Sequence, residues 1–216
     1  VATTSGRSSP HRAWLVGATA IAAALVVAVL VAAGACQALD DRALEAAASL
    51  RSPSLTRLAV DVTALGATPA LLLALALTAA LSWRRVPAAG AQLALAATTS
   101  FVADGFGKLV LARSRPTVVE HLVEVRSASF PSGHAMSTAT VACSIALLAI
   151  AARGQATARR VWAFAGAIIV GVAGTRVYLG VHYPSDVIAG ALFGLGWAHL
   201  AHAAFTPWRA RLTTSA

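Results

Sequence analysis

Residues 14–36 read WLVGATAIAAALVVAVLVAAGAC, twenty-three positions without a charged side chain. As an α-helix rising about 1.5 Å per residue, such a run spans about 34 Å, enough to cross a hydrocarbon core of about 30 Å. It exceeds the 7–15 apolar residues usual in a signal peptide. Gly34-Ala35-Cys36 resembles a lipoprotein cleavage box, but Ala33 stands where such boxes usually carry Leu, so the run is read as an uncleaved anchor.

Five further apolar runs follow, at 66–83, 87–110, 134–152, 161–178 and 186–205. They are rich in Ala, Leu, Val and Gly, the residues that let membrane helices pack closely. A hydrophobic content of 58% and a mean hydropathy of +0.73 lie well above the apolar share of a water-soluble domain. The chain is therefore predicted to be all-α, a six-transmembrane helix bundle. Residues 1–13 are expected to form a disordered cytoplasmic tail, 14–205 the membrane domain and 206–216 a second cytoplasmic tail. Within the domain, 37–65 reads as an outer loop containing a short amphipathic helix broken by Pro53. Cys36 and Cys143 fall at or inside apolar segments without metal-ligand spacing, which makes them packing residues.

A net charge of +9 could mark a nucleic-acid binder, but the basic residues are scattered between apolar runs rather than gathered on one polar face, so no nucleic acid is expected as a partner. With the amino terminus inside, Arg7, Arg12, Arg84, Arg85, Arg153, Arg159, Arg160, Arg209 and Arg211 are cytoplasmic and have no acidic residue among them. Every Asp and Glu then lies outside or at an outer helix end, where Arg42, Arg51, Arg57, Lys108, Arg113, Arg115, Arg126 and Arg176 balance them. The whole net charge is thus inside, as the positive-inside rule prefers. So many cations outside still need a reason, and the polar clusters supply it.

Three clusters interrupt the apolar pattern at helix ends that this topology places on one side. They are Lys108 with Arg115-Pro116, then Pro131-Ser132-Gly133-His134, then Thr175-Arg176 with His182 and Asp186. In order and internal spacing they resemble the three signature motifs of the type 2 phosphatidate phosphatase superfamily, with Thr175 where the family commonly has Ser. The likeness covers about residues 100–200. It implies a lipid phosphate phosphatase with its active site at the outer membrane–water boundary, and the chemistry of the residues agrees. A phosphoryl group in transfer spreads negative charge over its oxygens, which Lys108, Arg115 and Arg176 suit. Singly, each would be an ordinary headgroup contact at a span end. Ser132 and Gly133 precede an apolar run, so their amides become free donors at a helix amino terminus. His182 is the expected nucleophile, giving a phosphohistidine, with Asp186 orienting its ring and His134 as general acid and then base. Asp104 is a supporting candidate, one helical turn before Lys108, and Arg113 is another, either at the site or a headgroup contact.

Two histidines and one carboxylate among three cations suit an oxyanion better than Zn²⁺ or Mg²⁺, so no metal and no cofactor are expected. The expected partners are the bilayer and a lipid phosphate substrate. An Ala- and Arg-heavy, Lys-poor composition resembles a high-GC bacterial coding bias and favours polyprenyl diphosphate, with phosphatidylglycerol phosphate or phosphatidate as alternatives. A non-enzymatic protein that binds or transports anionic lipids stays open, as does transfer of the phosphoryl group to an acceptor other than water. A vanadate-dependent oxidation would use the same kind of site, but those relatives are soluble.

Overall fold

The computed structural model describes residues 10–82, 84–86 and 88–214, with backbone alone from residue 209 on. The described residues form helices and connections without a strand. In chain order the helices are α1 (Pro10–Ala32), α2 (Gln37–Ser49), α3 (Pro53–Ala64), α4 (Thr68–Ser82), α5 (Ala89–Leu111), α6 (Gly133–Arg153), α7 (Ala158–Tyr178) and α8 (Pro184–Thr214). A single 3₁₀ turn, Gln155–Thr157, joins α6 to α7.

Five helices, α1 and α5 to α8, are each long and apolar enough to cross a membrane, and α3 with α4 makes a sixth candidate bent by 47°. Leu81, Leu109, Phe101 and Phe164 stand on the outside of the bundle, as lipid-facing side chains do. This is a multi-pass membrane protein.

The ends of the elements differ from the sequence expectation. Residues 10–13, expected as tail, open α1, because Pro10 suits a first helical turn. Residues 1–9, with Arg7, lie outside the described residues, as do the span boundaries at 83 and 87. Residues 206–214 continue α8 through Pro207 rather than forming a tail. The stretch 37–65 is two helices, not a loop with one. Pro53 starts α3 there instead of breaking a helix, and the Ser52 hydroxyl caps it by accepting from the Leu55 amide at 3.3 Å.

Helix α6 is the most buried span and packs against α4, α5, α7 and α8. Two glycines one turn apart let α8 reach it. A Cβ on Gly190 would lie 2.6 Å from the Ser132 carbonyl, and one on Gly194 would collide with the Met136 carbonyl. Hydroxyls add polar links: Ser100 Oγ meets Thr140 Oγ1 at 2.9 Å, and the Trp197 indole donates to Thr99 Oγ1 at 2.6 Å. These contacts fix the amino-terminal ends of α6 and α8 side by side, at the end where α5 and α7 finish.

Candidate active site

His182 lies in the turn between α7 and α8, and only 2% of its surface is exposed. Its Nε2 sits 2.9 Å from Arg115 Nη1. A guanidinium can only donate, so Nε2 must carry the lone pair. The proton of the neutral ring is then on Nδ1, which faces Asp186 Oδ2 at 3.6 Å, beyond hydrogen-bond length but within ion-pair range. Burial, with the charges of Arg115 and Arg176, outweighs Asp186 and pushes the His182 pKa down to about 4. The ring is therefore an uncharged base whose free lone pair points at a cation.

Asp186 is fully buried and held from three directions. Arg113 Nη1 donates to Oδ1 at 2.6 Å, while the Ser129 hydroxyl at 2.5 Å and the Tyr183 amide at 3.0 Å donate to Oδ2. Its backbone carbonyl accepts from the Ser132 amide at 3.1 Å, which ties the second polar cluster to the third.

Arg113 is committed to protein partners on both terminal nitrogens. Its other nitrogen donates to Asp40 Oδ2 at 2.8 Å and to Gln37 Oε1 at 3.2 Å, Nη1 also reaches Ser185 Oγ at 2.8 Å, and the guanidinium lies 3.9 Å over the Tyr183 ring. Burial opposes its charge, but the hydrogen bonds and charges of Asp40 and Asp186 outweigh that and raise its pKa above the ordinary arginine value. Asp40, from α2, completes the clamp by accepting from the Ser185 amide at 3.0 Å and its hydroxyl at 2.5 Å.

Lys108, Arg115 and Arg176 come from α5, the following loop and α7, and all three act electrostatically on the His134 ring. Lys108 is ion-paired with Asp104, and a Cβ on Gly133 would lie 3.1 Å from both Asp104 Oδ2 and Lys108 Nζ, so a larger residue there would press this pair aside. Arg115 also donates to the Val181 carbonyl at 2.5 Å and the Ser127 carbonyl at 2.9 Å. Arg176 is 4% exposed and donates to Thr63 Oγ1 at 2.9 Å, while its Nε is without a partner. Ser132 Oγ is likewise buried, and it makes no capping bond to α6. Unused buried donors beside converging cations are the equipment of an anion site.

All ten residues singled out from the sequence are at this end of the bundle. Four that complete the arrangement were not: Asp40, Thr63, Ser129 and Ser185. A helical phase argument points to Asp40, which shares the buried face of α2 with Leu44, and to Thr63, which shares that of α3 with Ala59, but to neither serine. Away from the site, His199 stacks on Trp162 with ring centres 5.6 Å apart, and His121 contacts the Pro116 carbonyl at 2.7 Å.

Comparison with known proteins gives consistent matches. A family model described as the PAP2 superfamily matches residues 88–210. Phosphatidylglycerophosphatase B of Bacillus subtilis (strain 168) is 33% identical over 174 residues, covering 79% of this chain and 85% of the relative. An undecaprenyl-diphosphatase of Sulfolobus acidocaldarius is 32% identical over 119 residues, 53% of this chain and 54% of its own length. Among solved structures, the first transmembrane PAP2 type phosphatidylglycerolphosphate phosphatase from Bacillus subtilis superposes with a TM-score of 0.79 at 30% identity, covering 86% of this chain and 93% of that one.

Proposed function

The chain belongs to the PAP2 superfamily and is a membrane lipid phosphatase, and from that premise we propose that it removes a terminal lipid phosphate through a covalent intermediate on His182, without a metal. The observation that carries this reading is the Nε2 lone pair of His182, held next to a guanidinium while Asp186 faces the other ring nitrogen. The lone pair attacks phosphorus, and the bond from phosphorus to the lipid oxygen breaks with its electron pair going to that oxygen. His134 protonates the oxygen as it leaves. A water then attacks the phosphohistidine, giving its proton to His134, and inorganic phosphate departs as Nε2 regains its lone pair. Lys108, Arg115, Arg176 and the amino terminus of α6 from Ser132 hold the phosphoryl oxygens. Asp186 steadies the ring as it becomes positively charged, and Arg113 and Asp104 support from behind. With three cations already around the oxyanion, the charge that a divalent ion would supply is provided by protein.

An apolar cavity of about 200 Å³ between α4, α6 and α7 starts at Leu65 and Thr138, one turn below His134, and supports a substrate with a hydrocarbon tail. Phosphatidylglycerol phosphate is the first choice, because the relatives matched over most of the chain are named for it. Polyprenyl diphosphate is the second, favoured by the Sulfolobus relative. Arg84, Arg85 and Arg153, far from the site and without acidic neighbours, support an active site outside and both termini in the cytoplasm.

The test is phosphate release in detergent from phosphatidylglycerol phosphate, polyprenyl diphosphate, phosphatidate and a water-soluble ester, with EDTA present, for wild type and His182→Ala. We expect EDTA-resistant release, ranked with phosphatidylglycerol phosphate first, that falls at least about a thousandfold in the variant. An equally active variant refutes the nucleophile. No release from any substrate leaves a binding or transport role in its place.

A further inference from the structure

At the end of the bundle opposite His182, the finish of α4, the start of α5 and the finish of α6 enclose an open cavity of about 890 Å³. Arg84, Arg85 and Arg153 line it. Their side chains are exposed and make no hydrogen bond or ion pair with any described residue, and no acidic side chain lines the cavity. The Gly154 amide caps the Ile150 carbonyl at the end of α6, and the Arg153 side chain adds no hydrogen bond to that terminus. A second, apolar cleft of about 140 Å³ runs from this cavity between α4 and α6, and the two share Leu81, Arg85 and Arg153. Its α6 wall is aliphatic, formed by Ile145, Leu148, Ala149 and Ala152, and on the α4 side Thr78 and Ser82 line it with hydroxyls that donate to the α4 backbone.

We propose that this is a binding site for an anionic phospholipid of the leaflet opposite the active site, its phosphate held by Arg84, Arg85 and Arg153 and one acyl chain lying in the α4–α6 cleft. The positive-inside rule accounts for arginines at this end of the spans, but a topological preference does not require them to surround one cavity that continues into an apolar slot. A phosphodiester headgroup meets both features at once: its charge matches the unpaired guanidiniums, which bind phosphate oxygens in forked pairs, and its chain matches the cleft. A free phosphate would leave the cleft empty, and a zwitterionic lipid would bring an ammonium against three positive charges. The site has no part in turnover and stands whether or not His182 is the nucleophile.

The test is lipid retention, read by native mass spectrometry of the purified protein released from micelles containing phosphatidylglycerol or phosphatidylcholine. Wild type should retain phosphatidylglycerol in preference to phosphatidylcholine. Arg85→Ala/Arg153→Ala should bind it about 30-fold more weakly, and Arg159→Ala/Arg160→Ala, which removes the same charge outside the cavity, should change it less than about threefold. Ala149→Leu, which narrows the cleft and leaves every charge in place, should also weaken retention and covers the case in which the double variant does not fold. Equal retention of the two lipids, equal losses in the two arginine pairs, or phosphatidylglycerol retention indifferent to both Arg85→Ala/Arg153→Ala and Ala149→Leu would overturn the proposal.

Discussion

Asp40→Asn tests the clamp behind the site. In the native chain Asp40 accepts from Arg113 at 2.8 Å and from the Ser185 hydroxyl at 2.5 Å and amide at 3.0 Å, while being 3% exposed. Asparagine keeps the volume and one oxygen, which can retain the Ser185 amide, but it presents an amide nitrogen or a weaker acceptor to Arg113. Hydrogen bonds to charged groups are worth about 1.5–3 kcal/mol each, and Arg113 keeps Asp186, so a loss of about 3 kcal/mol is expected. For a chain of this size that lowers Tm by about 6–12 °C. Arg113 is also the group that holds Asp186 Oδ1, so the orientation of the His182 ring loosens, and kcat should drop about 10- to 30-fold. Asp40 has no contact with the phosphate-binding cations, so KM should move less than about twofold. The assays are thermal unfolding in detergent and steady-state phosphate release, with Glu45→Gln as control, since that carboxylate, also on α2, is exposed. Asp40→Asn with wild-type Tm and kcat, or a change confined to KM, would refute the reasoning.

Three further outcomes follow from the same geometry. Nitrogen NMR of labelled histidine should show the His182 ring neutral down to about pH 5, with its proton on Nδ1; a midpoint near 6.5 or an Nε2 proton would contradict the burial argument. Because the folded pKa lies below the unfolded value of about 6.5, protonation favours the unfolded chain, so this group costs no stability above about pH 7 and progressively more as pH falls towards 4. Gly190→Ala should lower Tm by several degrees and reduce kcat, because its Cβ must displace the Ser132 carbonyl, whereas Gly166→Ala, with open space around it, should be neutral or slightly stabilising. Ser129→Ala, which removes a donor to Asp186 Oδ2 without touching the phosphate site, should lower kcat about tenfold at unchanged KM; a rise in KM at unchanged kcat would count against its positioning role.

Much of the fold was legible because membrane spans announce themselves locally. A run such as 14–36 excludes water by composition alone, and length against bilayer thickness does the rest. The ends were less legible. Helices α1 and α8 extend past their apolar runs into residues 10–13 and 206–214, where hydropathy has nothing to report but backbone hydrogen bonding continues. The stretch 37–65 read as a loop because its residues are amphipathic rather than apolar. It folds into α2 and α3, whose buried faces rest on the ends of α7 and α8.

Residue types at fixed spacing, set out along the chain, determined the membrane class, the three polar clusters and the chemistry they suit, since charge, hydrogen-bonding capacity and apolar length are properties of the side chains themselves. Only tertiary structure decided which nitrogen of His182 carries the lone pair, that Arg113 clamps Asp186, and that Asp40 rather than Asp41 completes the clamp. The physical reason is distance along the chain. Asp40 and Ser185 are 145 residues apart and Arg113 is 73 from each carboxylate it binds, so no local pattern encodes their meeting, which follows from the close approach of α8 to α6 and the docking of α2 on the start of α8.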